Sequence, residues 1–218
     1  MVKTVFKSLL KTLFAARCSL CNHDSNHKKL CPACRSLCSP YPQHAFSALE
    51  NHYGALFYYE FSISELIKGI KFYRNIDHSY ALIERIHEAL IGSHLLQTLK
   101  KFQANAIVYI PTHPLRRALR GTDLPSLYAE ILGKKLNVPV KKLLRKKNFS
   151  SSLKKISKKS QRKNAVMGSM ELIQSKIFYQ RIIIVDDILT TGSTFEESKK
   201  TLKPVFGECR CVAIARTP

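Results

Sequence analysis

Acidic residues are scarce in this chain. It holds 15 Asp and Glu against 36 Lys and Arg, a formal charge of +21 over 218 residues and a pI near 9.9. From Lys134 to Lys163 there is none at all, while Lys134, Lys135, Lys141, Lys142, Arg145, Lys146, Lys147, Lys154, Lys155, Lys158, Lys159, Arg162 and Lys163 crowd the same stretch. A field of that sign attracts polyanions, and nucleic acid is the commonest one in a cell. The competing reading is a solvated basic face. Also missing is any run of about eighteen uncharged apolar residues, which excludes a spanning helix. Met1 to Ala16 begins like a secretory leader, but Lys3, Lys7 and Lys11 interrupt it, so no leader is read there. Without one, a disulfide framework for the seven cysteines is disfavoured. The G-x-x-x-x-G-K-[ST] pattern is absent too, which excludes a P-loop.

What is present is concentrated in Ile182-Ile-Ile-Val-Asp186-Asp187-Ile-Leu-Thr190-Thr191-Gly192-Ser193-Thr194. Four consecutive β-favouring apolar residues read as a strand buried on both faces, as in a parallel α/β sheet. The strand delivers Asp186 and Asp187 at its C-terminal end, and a helix is expected from Ser193 to Lys203, capped by Ser193 or Thr194. Ligands of open α/β sheets bind beyond the carboxyl ends of strands. Backbone N–H groups of Thr191 to Thr194, at the positive end of a helix dipole, suit a phosphate. Gly192 lets the backbone come close to it. The two carboxylates suit a pair of sugar hydroxyls or a magnesium ion. Phosphate, ribose and metal together describe a ribose 5-phosphate ligand. The pattern resembles the PRPP motif of type I phosphoribosyltransferases.

Four cysteines stand as Cys18-x-x-Cys21 and Cys31-x-x-Cys34. Two such knuckles close together can wrap four thiolates around one structural zinc ion, with no open position for catalysis. His23, His27 and Cys38 are spare ligands. Cys209 and Cys211 share one face of an expected final strand, Glu208 to Ala215, and read as packing residues. The apolar residues of Met1 to Ala16 repeat at helical spacing. Such a helix either packs on its own protein or lies on an anionic membrane surface.

Between the two motifs the reading is coarser. A short strand or two is expected around Ala55 to Phe61 and a helix from Glu65 to Tyr73. One long amphipathic helix is expected from His78 to Phe102. Ala106 to Ile110 reads as a buried strand running into Pro111-Thr-His113-Pro114. Arg116, Arg117 and Arg120 in the following turn could reach the same ligand, because guanidinium forks match phosphate geometry. Asp123 is placed to cap, and Pro125 to open, a helix ending near Lys135. Asn148 to Ser160, polar and lysine-rich, reads as disordered or as a lid that would keep water from a reactive sugar. Phe72, Tyr73 and Phe149 are stacking candidates whose first assignment is the core.

Taken in order, the cysteine pairs, Ile67-Lys68-Gly-Ile-Lys71-Phe72, Pro111-Thr-His113-Pro114 with Arg120-Gly121, Asn164 to Gly168 and the PRPP motif resemble the ComF family of competence proteins. The resemblance implies a small zinc module, residues 1–42, on a type I phosphoribosyltransferase-like parallel sheet flanked by helices, residues 43–218. Within the latter it implies a hood over about 45–100, a core over about 104–218 and a mobile basic loop over about 146–163. It further implies a cytoplasmic protein of natural transformation that handles incoming single-stranded DNA, in contact with translocation or helicase machinery and with peripheral contact at the inner membrane as an option. On that analogy Asp186, Asp187, Thr190 to Thr194, Arg116 and Arg120 bind PRPP with Mg2+. Lys146, Lys147, Lys154, Lys155, Lys158 and Lys159 meet DNA, and Cys18, Cys21, Cys31 and Cys34 bind zinc. An active phosphoribosyltransferase, with Asp186 and Asp187 catalytic, is the alternative. The chain departs from the family where R-G-F-N-Q is expected, having Arg120-Gly121-Thr122-Asp123-Leu124, and where a loop glutamine falls near Leu153. These changes touch catalysis more than PRPP binding.

Overall fold

The chain is described from a computed structural model covering residues 17–25, 28–41, 53–113, 118, 122–147, 168–173 and 176–218. The expected N-terminal helix over Met1 to Ala16, Arg116, Arg117, Arg120, Phe149 and Lys154 to Lys159 lie outside these residues. A five-residue helix α1 (Pro32–Ser36) belongs to the cysteine module. Then follow β1 (Tyr53–Tyr58), α2 (Phe61–Tyr73), α3 (Ile76–Leu90), α4 (His94–Phe102), β2 (Ala106–Tyr109), α5 (Leu124–Leu136), β3 (Val140–Lys141), β4 (Leu144–Lys146), β5 (Met170–Leu172), β6 (Tyr179–Leu189), α6 (Ser193–Leu202) and β7 (Phe206–Arg216).

The apolar runs become a five-stranded sheet, order β1-β7-β6-β2-β3, with every pairing parallel. Burial on both faces explains why its central strands are continuous rather than alternating in hydrophobicity. Ile183 and Val185 face one core with residues of α2 to α5, including Leu66, Ile67, Leu82, Leu99 and Tyr128. Ile182 and Ile184 face the other, with Phe195 and Leu202 of α6 and Leu144 and Met170 of the antiparallel β4–β5 pair. Cys211 belongs to this second core and Cys209 packs half-buried against it.

The long helix expected over His78 to Phe102 is two helices. Ile91 turns extended, Gly92 is left-handed at φ 67°, and the Ser93 hydroxyl accepts the Leu96 N–H at 3.2 Å to start α4. A glycine followed by a capping serine outweighs apolar periodicity here. The capping expectations also change. Gly192, at φ 77°, occupies the N-cap position of α6, so neither Ser193 nor Thr194 caps it. Asp123 precedes α5 but its side chain makes no cap bond; its Oδ1 accepts instead from the Thr112 hydroxyl at 3.0 Å. Strand β6 runs through both aspartates to Leu189 because β7 stays paired with it to Arg216.

The cysteine module is sewn to the rest. Cys18, Leu30, Cys31 and Cys38 share the first core. The Tyr41 N–H donates to the Leu56 carbonyl at 2.8 Å and the Tyr58 N–H to the Ser39 carbonyl at 3.1 Å, extending the β1 edge. Arg35 meets Glu88 at 2.5 Å, and His78 Nε2 donates to the Ser19 carbonyl at 2.9 Å. That histidine is held against α2 at Gly69, where an added Cβ would fall 1.7 Å from His78 Nδ1. In an open helix interior Gly→Ala stabilises. Here Gly69→Ala is expected to destabilise by about 2–3 kcal/mol through overpacking. Chemical denaturation reads the sign, and a stabilised variant would refute this packing.

Candidate functional site

The carboxyl ends of β6 and β2, the start of α6 and the end of α2 meet at one edge of the sheet. Successive strand residues point to opposite faces, so Asp186 and Asp187 leave β6 in different directions. Asp186 is buried, and its Oδ1 accepts the Asp187 N–H at 2.8 Å. Burial first, then the neighbouring Asp187 charge, push its carboxyl up to about 7, against the pull of Lys146 and Lys71. Asp187 Oδ2 is 2.6 Å from Lys71 Nζ of α2, with both side chains mostly buried. A cation therefore already sits on one member of the acidic pair.

The loop that follows is shaped by Gly192. The Tyr53 ring lies against it, stacks on Phe195 with centroids 5.6 Å apart, and donates its hydroxyl to Glu196. Thr190 and Thr191 are exposed, and Ser193 and Thr194 half-buried. The Thr191 hydroxyl bonds the Ser193 hydroxyl at 3.0 Å, and its oxygen accepts the Ser193 N–H at 3.4 Å. The first-turn N–H groups of a ten-residue helix have no intrahelical acceptor, so they and the hydroxyls form a donor-rich cup for an anion. Across α6, buried Glu197 accepts the Gly168 N–H at 2.7 Å, tying the end of the basic segment to this helix.

Some of these partners were not visible from the sequence. No motif marks Lys71, Tyr53 or Glu197 as partners at this site, and Lys146, expected to meet DNA, also carries a charge that acts on Asp186. Lys147 is exposed near the same hairpin, where its N–H donates to the Ser169 carbonyl at 3.0 Å. Phe72 and Tyr73, expected mainly in the core, are exposed.

The second centre is the cysteine cluster. The Sγ atoms of Cys18, Cys21, Cys31 and Cys34 all lie within 4.8 Å of one another. Tetrahedral Zn–S bonds of about 2.3 Å place sulfurs about 3.8 Å apart, so the four fit a zinc ion. Burial alone would raise the Cys18 thiol, but N–H donors from Cys21, Cys31 and Leu20 outweigh it and bring it down to about 6. Burial drives Cys34 the other way, well above the ordinary thiol range. One easily ionised thiol among crowded neighbours that resist further charge is the situation a divalent cation resolves.

No family model matches the chain. Over 193 residues it is 25% identical to Competence protein F of Haemophilus influenzae, covering 85% of this chain and 83% of that protein. The similarity runs over most of both chains. The cysteine cluster and the helix-flanked parallel sheet accompany that match. A shorter stretch of 85 residues is 35% identical to the transcriptional regulator GfcR of Methanocaldococcus jannaschii, covering 39% of this chain and 34% of the regulator. Among solved structures, a purine phosphoribosyltransferase from Pyrococcus horikoshii superposes with a TM-score of 0.39 at 18% identity, covering 62% of this chain and 74% of that one. No helix among the described residues is long and apolar enough to cross a membrane.

Proposed function

We propose that this chain is a cytoplasmic competence protein that handles incoming single-stranded DNA during natural transformation, working beside DNA-translocation or helicase machinery. Its pocket binds PRPP, or another ribose phosphate, with Mg2+. One observation supports the pocket above all: an anion cup at the start of α6 adjoins a pair of strand-borne carboxylates. The loop Thr190 to Thr194 would hold the 5′-phosphate, Asp186 and Asp187 the ribose hydroxyls and the ion, and Arg116 and Arg120 the pyrophosphate. Mg2+ supplies charge neutralisation along the pyrophosphate. Asp187 has to exchange Lys71 for ligand, which makes α2 responsive to occupancy.

Lys146, Lys147, Lys154, Lys155, Lys158 and Lys159 would neutralise DNA phosphates. Affinity for a single-stranded oligonucleotide is then expected to fall by roughly a thousandfold between about 50 and 200 mM salt. Lys146/Lys147/Lys154/Lys155→Ala should flatten that slope. A fluorescence-anisotropy titration decides it, and a salt-insensitive affinity would remove DNA handling from the proposal. In cells, deletion scored for uptake and transformation tests the competence role.

A second reading, an active phosphoribosyltransferase, is favoured by Lys71, a hood cation at the acidic pair that could stabilise departing pyrophosphate. Pyrophosphate release from PRPP in the presence of nucleobases, lost in Lys71→Met, would establish it.

A further inference from the structure

Four large hydrophobic side chains surround the turn between α2 and α3: Phe72 is 65% exposed, Tyr73 80%, Ile76 68% and Tyr80 55%. Single exposed apolar residues are ordinary, but a cluster within nine positions marks an interaction surface. Its geometry follows from the local fold. Arg74 turns left-handed to end α2, and Asn75 caps α3 by accepting the His78 N–H at 3.1 Å. Ile76 and Tyr80 are four apart on α3 and share one helix face. The turn is pinned rather than loose, because its first residue bonds back to α2: the Asn75 N–H donates to the Gly69 carbonyl at 3.2 Å.

The chemistry around the cluster selects the partner. Lys29 of the cysteine module stands 5.2 Å over the Tyr80 ring and 3.6 Å from Asp77. Beside it, Arg17, Lys28, Lys29, Asn75 and Asp77 line a polar hollow of about 500 Å3 between module and hood. Lys68 of α2 pairs with Glu65 at 2.7 Å, and Arg74 ends the same helix. Cations set beside flat aromatic rings suit a backbone of phosphates carrying bases that need π-faces. An acidic protein helix would use the cations but leave the tyrosine faces without a matching planar group.

We infer that the α2–α3 turn is a base-stacking platform for single-stranded nucleic acid, with Tyr73 and Tyr80 as its principal rings and the zinc-module cations Lys28 and Lys29 on the phosphates. This rests on the DNA-handling reading above but assigns it to a surface well apart in sequence from the basic loop. The platform reads no sequence, since every base presents a π-face.

The test uses the full chain and two oligonucleotides of equal length, one thymidine-containing and one abasic, at constant salt. Wild type should bind the base-bearing strand more tightly. Tyr73→Ala/Tyr80→Ala should lose roughly tenfold to a hundredfold of affinity for that strand while leaving abasic affinity and the salt slope unchanged. Tyr73→Phe/Tyr80→Phe should restore the preference, because the ring and not the hydroxyl does the stacking. Both tyrosines are exposed, so an unaltered Tm is expected and checked. If wild type binds neither strand, DNA handling itself fails and the platform with it. If wild type binds both strands alike, or the double alanine variant keeps the preference, the platform alone is overturned. The latter result joined to a transformation defect in cells would give the surface to a protein partner.

Discussion

Replacing Cys31 by serine is expected to release zinc and lower Tm by roughly 10 °C, the equivalent of about 4 kcal/mol in a chain of this length. Cys31 serves three ends at once. It is one of four clustered sulfurs, its Sγ accepts the Cys34 N–H at 3.4 Å at the start of α1, and its side chain is buried in the first core. Removing the metal would leave crowded thiols beside Cys18, Leu30 and Cys38, which pack with the hood helices instead of forming a separate lobe. The damage should therefore spread through Arg35–Glu88 and Ser19–His78 to α3. Elemental analysis and a thermal scan, with and without a chelator, check this. Full zinc occupancy in Cys31→Ser, or a chelated protein with unchanged Tm, would show the cluster is not a metal staple.

The second large effect concerns Asp186. Its carboxyl titrates near 7 in the folded chain against an ordinary value of 3.8, chiefly through burial. A raised acid pKa means the folded state holds the proton more tightly than the unfolded one. Stability from this group is present in full below about pH 4 and is lost as pH rises through about 7. Asp186→Asn removes that loss. The variant should match wild type near pH 3.5, pull ahead as the pH rises past 4, and exceed it near pH 8 by a few kcal/mol, with about 4 as the ceiling. It should also bind Mg2+–PRPP far more weakly. Stability gained where binding is lost is the pattern of a residue kept for its ligand. Urea denaturation near pH 3.5 and near pH 8 reads it, and an Asn variant less stable than wild type near pH 8 would show that Asp186 is a structural acid.

Much of this was legible in the primary structure where the signal is local. The run Ile182 to Thr194 announces a doubly buried strand, two acids and a small-residue turn without outside help, and the knuckle spacing brings four sulfurs together in the same way. Local chemistry overrides periodicity at Ile91-Gly92-Ser93, where a helix stop and a helix start lie inside the apolar repeat. What could not be read was contact across register. Nothing in Lys71 declares that α2 will lay it on Asp187. Nor does Tyr53 declare that parallel pairing of β1 with β7 will bring its ring over Gly192. The exposure of Tyr73 and Phe72 was hidden for the same reason. A helix end that reads as apolar goes inside unless the next helix turns away, and here Arg74 and Asn75 turn it.

Isothermal calorimetry with Mg2+–PRPP on the zinc-loaded chain tests the sugar-phosphate pocket most directly. Saturable one-to-one binding is expected, abolished in Asp186→Ala/Asp187→Ala and dependent on Mg2+. Absence of binding by the wild-type chain, or equal heats from the double variant, would contradict it.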